Sequence, residues 1–316
     1  MLARSLIAIV AVLAFLAAPH VLAEFHLFQI CLIAGTALVV LGLVVVTGFA
    51  GQISLAQAAF VALGGYGSAI LATRWGFPLW AGIPVVAVAV SVVGFLLGQM
   101  TLRVSGHYLA LVTMAVTAIV QIALIYSDSI TGGAAGMPVP TFEIFGYALS
   151  TGGQLYYVIV PVTAALFLAV HNLNRSHYGR ALAAIRQSET AAELMGLNVL
   201  RYKAAAFGAS GFLGAIGGGL LAPLSTYLDP AQFGITHSVY FLAVAVVGGM
   251  ASPLGALVGS TIFVFLPDFL QGFQSYLGLV FALLLLGFIV LRPNGLASFN
   301  LPRALSSALA RTGDGR

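Results

Sequence analysis

Apolar runs of about membrane length recur along this chain, at 27–48, 54–73, 80–101, 106–126, 154–171, 204–228 and 274–291, and this recurrence restricts the fold more than any other feature. Hydrocarbon offers the backbone no hydrogen-bond partners, so continuous runs of this length are read as helices that satisfy their own N–H and C=O groups. Residues 1–23, Arg4 followed by an apolar run, also describe a cleavable secretory signal. They are read here as an uncleaved first span, because their removal leaves Glu24 and His26 heading a protein that is already membrane-bound. The stretch 236–268 is interrupted by Gly248, Gly249, Ser252, Pro253 and Gly255, and divides into two short spans joined by a tight turn. The expectation is an all-α membrane protein: a polytopic helical bundle of about ten transmembrane spans, folded as a single domain over 1–316.

Composition agrees and excludes several classes. Hydrophobic residues make up 61% and charged residues 6%, against roughly 25% charged in soluble domains. The single cysteine, Cys31, leaves no internal disulfide, CxxC pair or thiolate metal cluster. The six histidines fall near span ends, where interfacial polarity accounts for them, so no metal site is expected. Basic residues form no dense cluster outside one loop, so no nucleic-acid partner is expected.

That loop is His171 to Lys203, with five of the twelve basic residues (Arg175, Arg180, Arg186, Arg201, Lys203) and two of the eight acids (Glu189, Glu193). It cannot lie in hydrocarbon and is assigned as a water-facing connection over 172–203. Gly179 to Gln187 places Leu182 and Ile185 on one face and Arg180 and Arg186 away from them, an amphipathic surface helix. Thr190 followed by Glu193 has the spacing of a capping box, and Gly196 stands where a left-handed helix stop is expected. Two readings stand side by side: a docking surface for a soluble partner, and a basic loop that only fixes topology.

With Arg4 in the cytoplasm, ten crossings place eleven basic residues on that side, including Arg103, this loop and the tail residues Arg292, Arg303, Arg311 and Arg316, against Arg74 alone outside. Both termini, with the tail 292–316, are then cytoplasmic, and the Gly/Pro-rich segment 127–153 is external. Every Asp, Glu, Lys and Arg falls at or beyond an expected span end, which leaves a proton-coupled carrier without a relay. The only lysine, Lys203, is followed by alanine, so no GxxxxGK[ST] phosphate loop exists and any ATPase is another polypeptide.

Inside the bundle, Gln52, Ser54 and Gln57 are polar groups in an apolar span, expected either to bond between helices or to line a solute pathway. Small residues spaced as Gly94-Gly98 and Gly211-Gly214-Ala215-Gly218 point to close helix packing.

Six segments, taken in order, resemble the permease subunits of bacterial ABC importers for branched-chain amino acids, specifically the larger, LivM-type permease. They are GFAGQISLAQAAFVALGGY (48–66), RVSGHYLALVTMA (103–115), TGGAAGM (131–137), YGRALAAIRQSETAAELMGLNVLRYK (178–203), VVGGMASPLGALVG (246–259) and RPNGLA (292–297). Ala56 replaces the usual glycine of the first, and His107 and Met114 are variants in the second. The resemblance implies that the loop after the sixth span is the ATPase-docking coupling helix. Thr190-Ala191-Ala192-x-x-x-Gly196 looks like the Glu-Ala-Ala-x-x-x-Gly motif of ABC permeases, with Thr190 in place of glutamate and Glu189 and Glu193 nearby. Gly179, Arg180 and Arg186 are the other candidate coupling residues. The resemblance further implies a second related permease, two ATP-binding-cassette subunits that use ATP and Mg, an extracytoplasmic solute-binding protein, and a place in the bacterial inner membrane. No cofactor is expected on this chain. Branched-chain or other apolar amino acids are the implied cargo, with urea, short amides or aromatic acids as alternatives. An ion-coupled secondary carrier and a non-transporting scaffold are the rivals from other classes.

Overall fold

The computed structural model describes residues 21–100, 107–144, 146–250 and 252–269, with a few isolated positions besides. Helix α1 (Glu24–Leu43) passes without interruption into a π-helical segment, Val44–Phe49. An irregular stretch, 50–56, leads to α2 (Gln57–Trp75), followed by α3 (Leu79–Met100) and α4 (His107–Tyr126). Helix α5 (Gly152–Arg175) is followed by two short helices, α6 (His177–Gln187) and α7 (Glu189–Leu194). Then come α8 (Val199–Ser225), α9 (Ile235–Gly248) and α10 (Pro253–Phe269).

The hydropathy runs locate these helices to within a few residues, because in a bilayer the apolar length and the helix length are the same quantity. Helical order goes further into the charged loop than the charge pattern indicates. Helix α5 continues to Arg175, and Arg201 and Lys203 lie in the first turns of α8 rather than in the 172–203 connection.

Helix α8 is the hub, packed against α3, α2 and α1. Its small residues permit this: Gly94 and Gly98 of α3 lie directly against Phe207 and Ala204, and Gly64 of α2 against Ala215. Helices α3, α4 and α5 surround this core and leave Val85, Leu111 and Leu168 more than half exposed, an apolar surface suited to lipid or to another membrane chain.

Among the described residues five helices (α1 with its π extension, α3, α4, α5 and α8) are long and apolar enough to cross a membrane, or six if α9 and α10 count as one bent span. This falls short of ten. The spans expected at 1–23 and 274–291, with Arg103 and the tail, lie outside the described residues. Helix α2 is not among the five, yet most of it is buried between other helices, where its Gln, Ser and Gly residues are shielded from lipid. The interruption expected in 236–268 is present: α9 and α10 meet near Gly249 and turn by 115°. Helix α10 then returns along α1, where Gln29 donates to Asp268.

One end of the bundle departs from an all-α architecture. Strand β1 (Met137–Pro138) pairs antiparallel with β4 (Tyr227–Leu228), while β2 (Phe142–Ile144) and β3 (Tyr147–Leu149) form a hairpin. The Tyr66 hydroxyl donates to the Leu228 carbonyl at 2.9 Å, fixing this cap to α2.

Candidate functional site

At the opposite end, α6 and α7 form a small polar unit built by local chemistry. The Ser176 hydroxyl caps α6 by accepting from Tyr178 N–H at 3.2 Å, and Ser188 caps α7 by accepting from Ala191 N–H at 3.3 Å. The capping residue of α7 is therefore Ser188, not Thr190. Starting the helix two residues earlier puts Glu189 in the first turn, where a carboxylate is favoured by the helix dipole. Gly196 takes the left-handed conformation, φ +82°, and completes a Schellman stop. Its N–H donates to Glu193 at 2.9 Å, while Leu197 N–H donates to Ala192 at 3.1 Å.

The candidate coupling residues separate into two sets. Gly179 and Ala192 are buried, the latter in a small cluster with Ile185 and Val199 that holds α6, α7 and the start of α8 together. Arg180, Thr190, Ala191 and Glu193 are exposed, and Arg180 Nη1 donates to the Arg175 carbonyl at 3.0 Å. Glu189 turns back to Lys203, 2.5 Å away, and the lysine is 3% exposed. The only lysine of the chain is thus a buried anchor and not a surface charge. Arg186, exposed like Arg180, reaches back with its guanidinium and donates to the Gly48 carbonyl at the end of the π segment. Sequence reasoning missed Leu194 and Met195, which are 85% and 83% exposed just before the glycine stop. Two adjacent apolar residues in a water-facing turn are the signal that could have found them.

The other candidate region is the break between α1 and α2. The Gln57 amide, fully buried, donates to the Val39 carbonyl at 2.7 Å and accepts from the Ser210 hydroxyl at 2.9 Å, joining α1, α2 and α8. Helix α2 therefore begins beside Val39 of α1, and residues 50–56 travel back along the bundle as irregular backbone, of which Ala50 and Gln52 N–H still donate to the Val45 and Val46 carbonyls. Side chains supply the missing partners. Leu55 N–H donates to Thr113 Oγ1 at 2.9 Å, Thr117 Oγ1 donates to the Leu55 carbonyl at 2.7 Å, and Ala58 N–H donates to Ser238 Oγ at 3.0 Å. Ser54, also fully buried, accepts from Ala56 N–H at 3.3 Å, whereas Gln52 is half-buried. Irregular backbone at such depth is tolerated where protein satisfies it or where it borders a water-filled path.

Long apolar helices, one irregular break bonded by hydroxyl groups, and a polar unit of two capped helices at one end together describe a polytopic membrane protein. The chain belongs to the branched-chain amino acid transport system permease component family, whose model matches residues 25–290. It is 30% identical over 287 residues to the high-affinity branched-chain amino acid transport system permease protein LivM of Escherichia coli (strain K12), covering 83% of this chain and 68% of that one. It is 27% identical over 240 residues to the ribose import permease protein RbsC of Haemophilus influenzae, covering 71% of each. No solved structure matches it. The chain is a permease subunit of an ABC importer, and the carrier and scaffold readings are set aside.

Proposed function

We propose that this permease passes branched-chain or other apolar amino acids by alternating access, driven by two ATP-binding-cassette subunits that dock on α6 and α7. The relative named for branched-chain amino acids spans more of the chain, at higher identity, than the one named for ribose, which favours amino acids as cargo. ATP and Mg are used in the partner. A second related permease completes the pore, and a binding protein delivers solute at the end carrying the strands. The α6–α7 end faces the cytoplasm with both termini, and about ten spans cross the inner membrane. The path runs beside the 50–56 break, where half-buried Gln52 meets solute while Ser54 and Gln57 hold the backbone behind it.

The observation that carries the docking reading is the pair Leu194 and Met195, almost fully exposed on a unit whose every helix end is closed. Exposed apolar side chains on a capped helical unit are what a protein partner's pocket takes up. Charging both, as Leu194→Glu with Met195→Glu, is expected to abolish co-purification of the ATPase subunits and ATP-driven uptake, while the permease's melting temperature is retained. Full co-purification with the double variant defeats the docking assignment.

A further inference from the structure

We infer that Arg186 is the positioning residue that ties α6 to the two places where helices of the bundle are broken, so that motion of the α6–α7 unit enters the membrane through it. This rests on the reading above.

The contact has three parts. First, the Arg186 guanidinium donates to the Gly48 carbonyl at the C-terminal end of α1 and its π extension, an end with no basic residue of its own. Such an end carries unsatisfied carbonyls and partial negative charge, so a cation is held there by hydrogen bond and dipole together. Among the described residues no carboxylate pairs with Arg186, and its charge is spent on this helix end. Second, the arginine's methylene stem crosses Gly51 closely: a Cβ built at Gly51 is 2.9 Å from Arg186 Cγ and 3.4 Å from its Cβ. Gly51 also has φ +69°, so glycine is required there on both counts. Third, Gly48 lies directly against the Met250 carbonyl, in the turn between α9 and α10. The break after α1 and the turn before α10 therefore meet at Gly48, and Arg186 grips that point from the water-facing side.

The attachment of α6 supports a lever. Leu182 and Ile185 are buried beneath the helix, and the α7 end of the unit is tied further to α8 by Lys203 and Glu189. Beside the grip lies a cleft of ≈ 350 Å³ lined by Gly48, Phe49, Gly179, Ala183, Arg186 and Gln187, which gives α6 room to shift against the π segment. π-Helical segments are rare and concentrate at functional positions, and this one is where Arg186 takes hold. Arginine rather than lysine fits, because one planar fork reaches a carbonyl while its stem packs on backbone.

The test uses the whole importer in proteoliposomes, with ATP hydrolysis and solute uptake measured on the same preparation. With Arg186→Gln the ATPase subunits are expected to co-purify in full and hydrolysis to continue, while ATP consumed per solute rises roughly tenfold, within the span of ordinary coupling energies. Arg186→Lys should recover part of the coupling, since an ammonium still donates to the carbonyl. Arg175→Gln, an equal loss of charge at the same end, should leave the ratio alone. A transporting wild type with an unchanged ratio in Arg186→Gln overturns this inference alone. Loss of the ATPase subunits in parallel with uptake overturns it too, by making Arg186 a docking contact. A wild type without ATP-driven uptake overturns the functional reading and this inference together.

Discussion

Lys203 shows how far a residue's role can lie from its place in the sequence. As one of five cations in a polar loop it is indistinguishable from a topology signal, yet it is buried at 3% and paired with Glu189 at 2.5 Å. The pairing depends on α7 and its Schellman stop folding back onto α8, a tertiary event that spacing does not encode. Leu182 and Ile185, by contrast, were legible, because helical periodicity alone fixes the buried face. The ion pair yields a sign-specific prediction. Glu189→Gln strands a buried ammonium and is expected to destabilise by about 1–2 kcal/mol, less than the ~3–5 kcal/mol of a fully buried pair because Glu189 is half exposed and screened. Adding Lys203→Met removes the stranded charge, so the double variant should melt above Glu189→Gln alone in detergent. A double variant that melts lower shows that the lysine has another role.

At the scale of elements, span positions were readable and interruptions were read unevenly. The α9–α10 turn was announced by Gly248, Gly249 and Pro253, whereas the break at 50–56 was hidden, since Leu55 and Ala56 continue an apolar pattern into α2. Hydropathy reports transfer into lipid and is blind to whether a backbone carbonyl has a partner. What marks the break is a pair of hydroxyls one turn apart in α4, Thr113 and Thr117, aimed at the two backbone groups of Leu55. Replacing both by valine keeps shape and branching and leaves a part-buried N–H and C=O unpaired, at up to about 1–3 kcal/mol each. Thermal melting of Thr113→Val/Thr117→Val should therefore fall well below wild type. Thr73→Val should be near neutral, because that hydroxyl bonds only within its own helix, to Ala69 at 2.9 Å. Equal melting of the two variants means that 50–56 is held by something other than these hydroxyls.

At the scale of the whole molecule, orientation rests on an asymmetry of charge that the fold makes testable. The β2–β3 hairpin and the α6–α7 unit are separated along the chain by α5, whose 24 residues extend about 36 Å at 1.5 Å per residue, enough to cross ~30 Å of hydrocarbon. If α5 spans, the two lie on opposite faces, and the excess of basic residues predicts a cytoplasmic α6–α7. Labelling sites follow from exposure. Gly133, in the 127–153 segment, is unsuitable, because its φ is +60° and a side chain there overlaps Asp128. Tyr147 in the hairpin is 80% exposed and Met195 is 83% exposed, while Cys31 is fully buried, so the native chain is its own unlabelled control. In cells expressing the permease alone, a membrane-impermeant maleimide should label Tyr147→Cys in intact cells and Met195→Cys only after permeabilisation. The reverse order inverts the topology and places the docking face outside, where no ATP is available. Labelling of both from outside shows that α5 does not cross, and with it the permease architecture argued from these helices is lost.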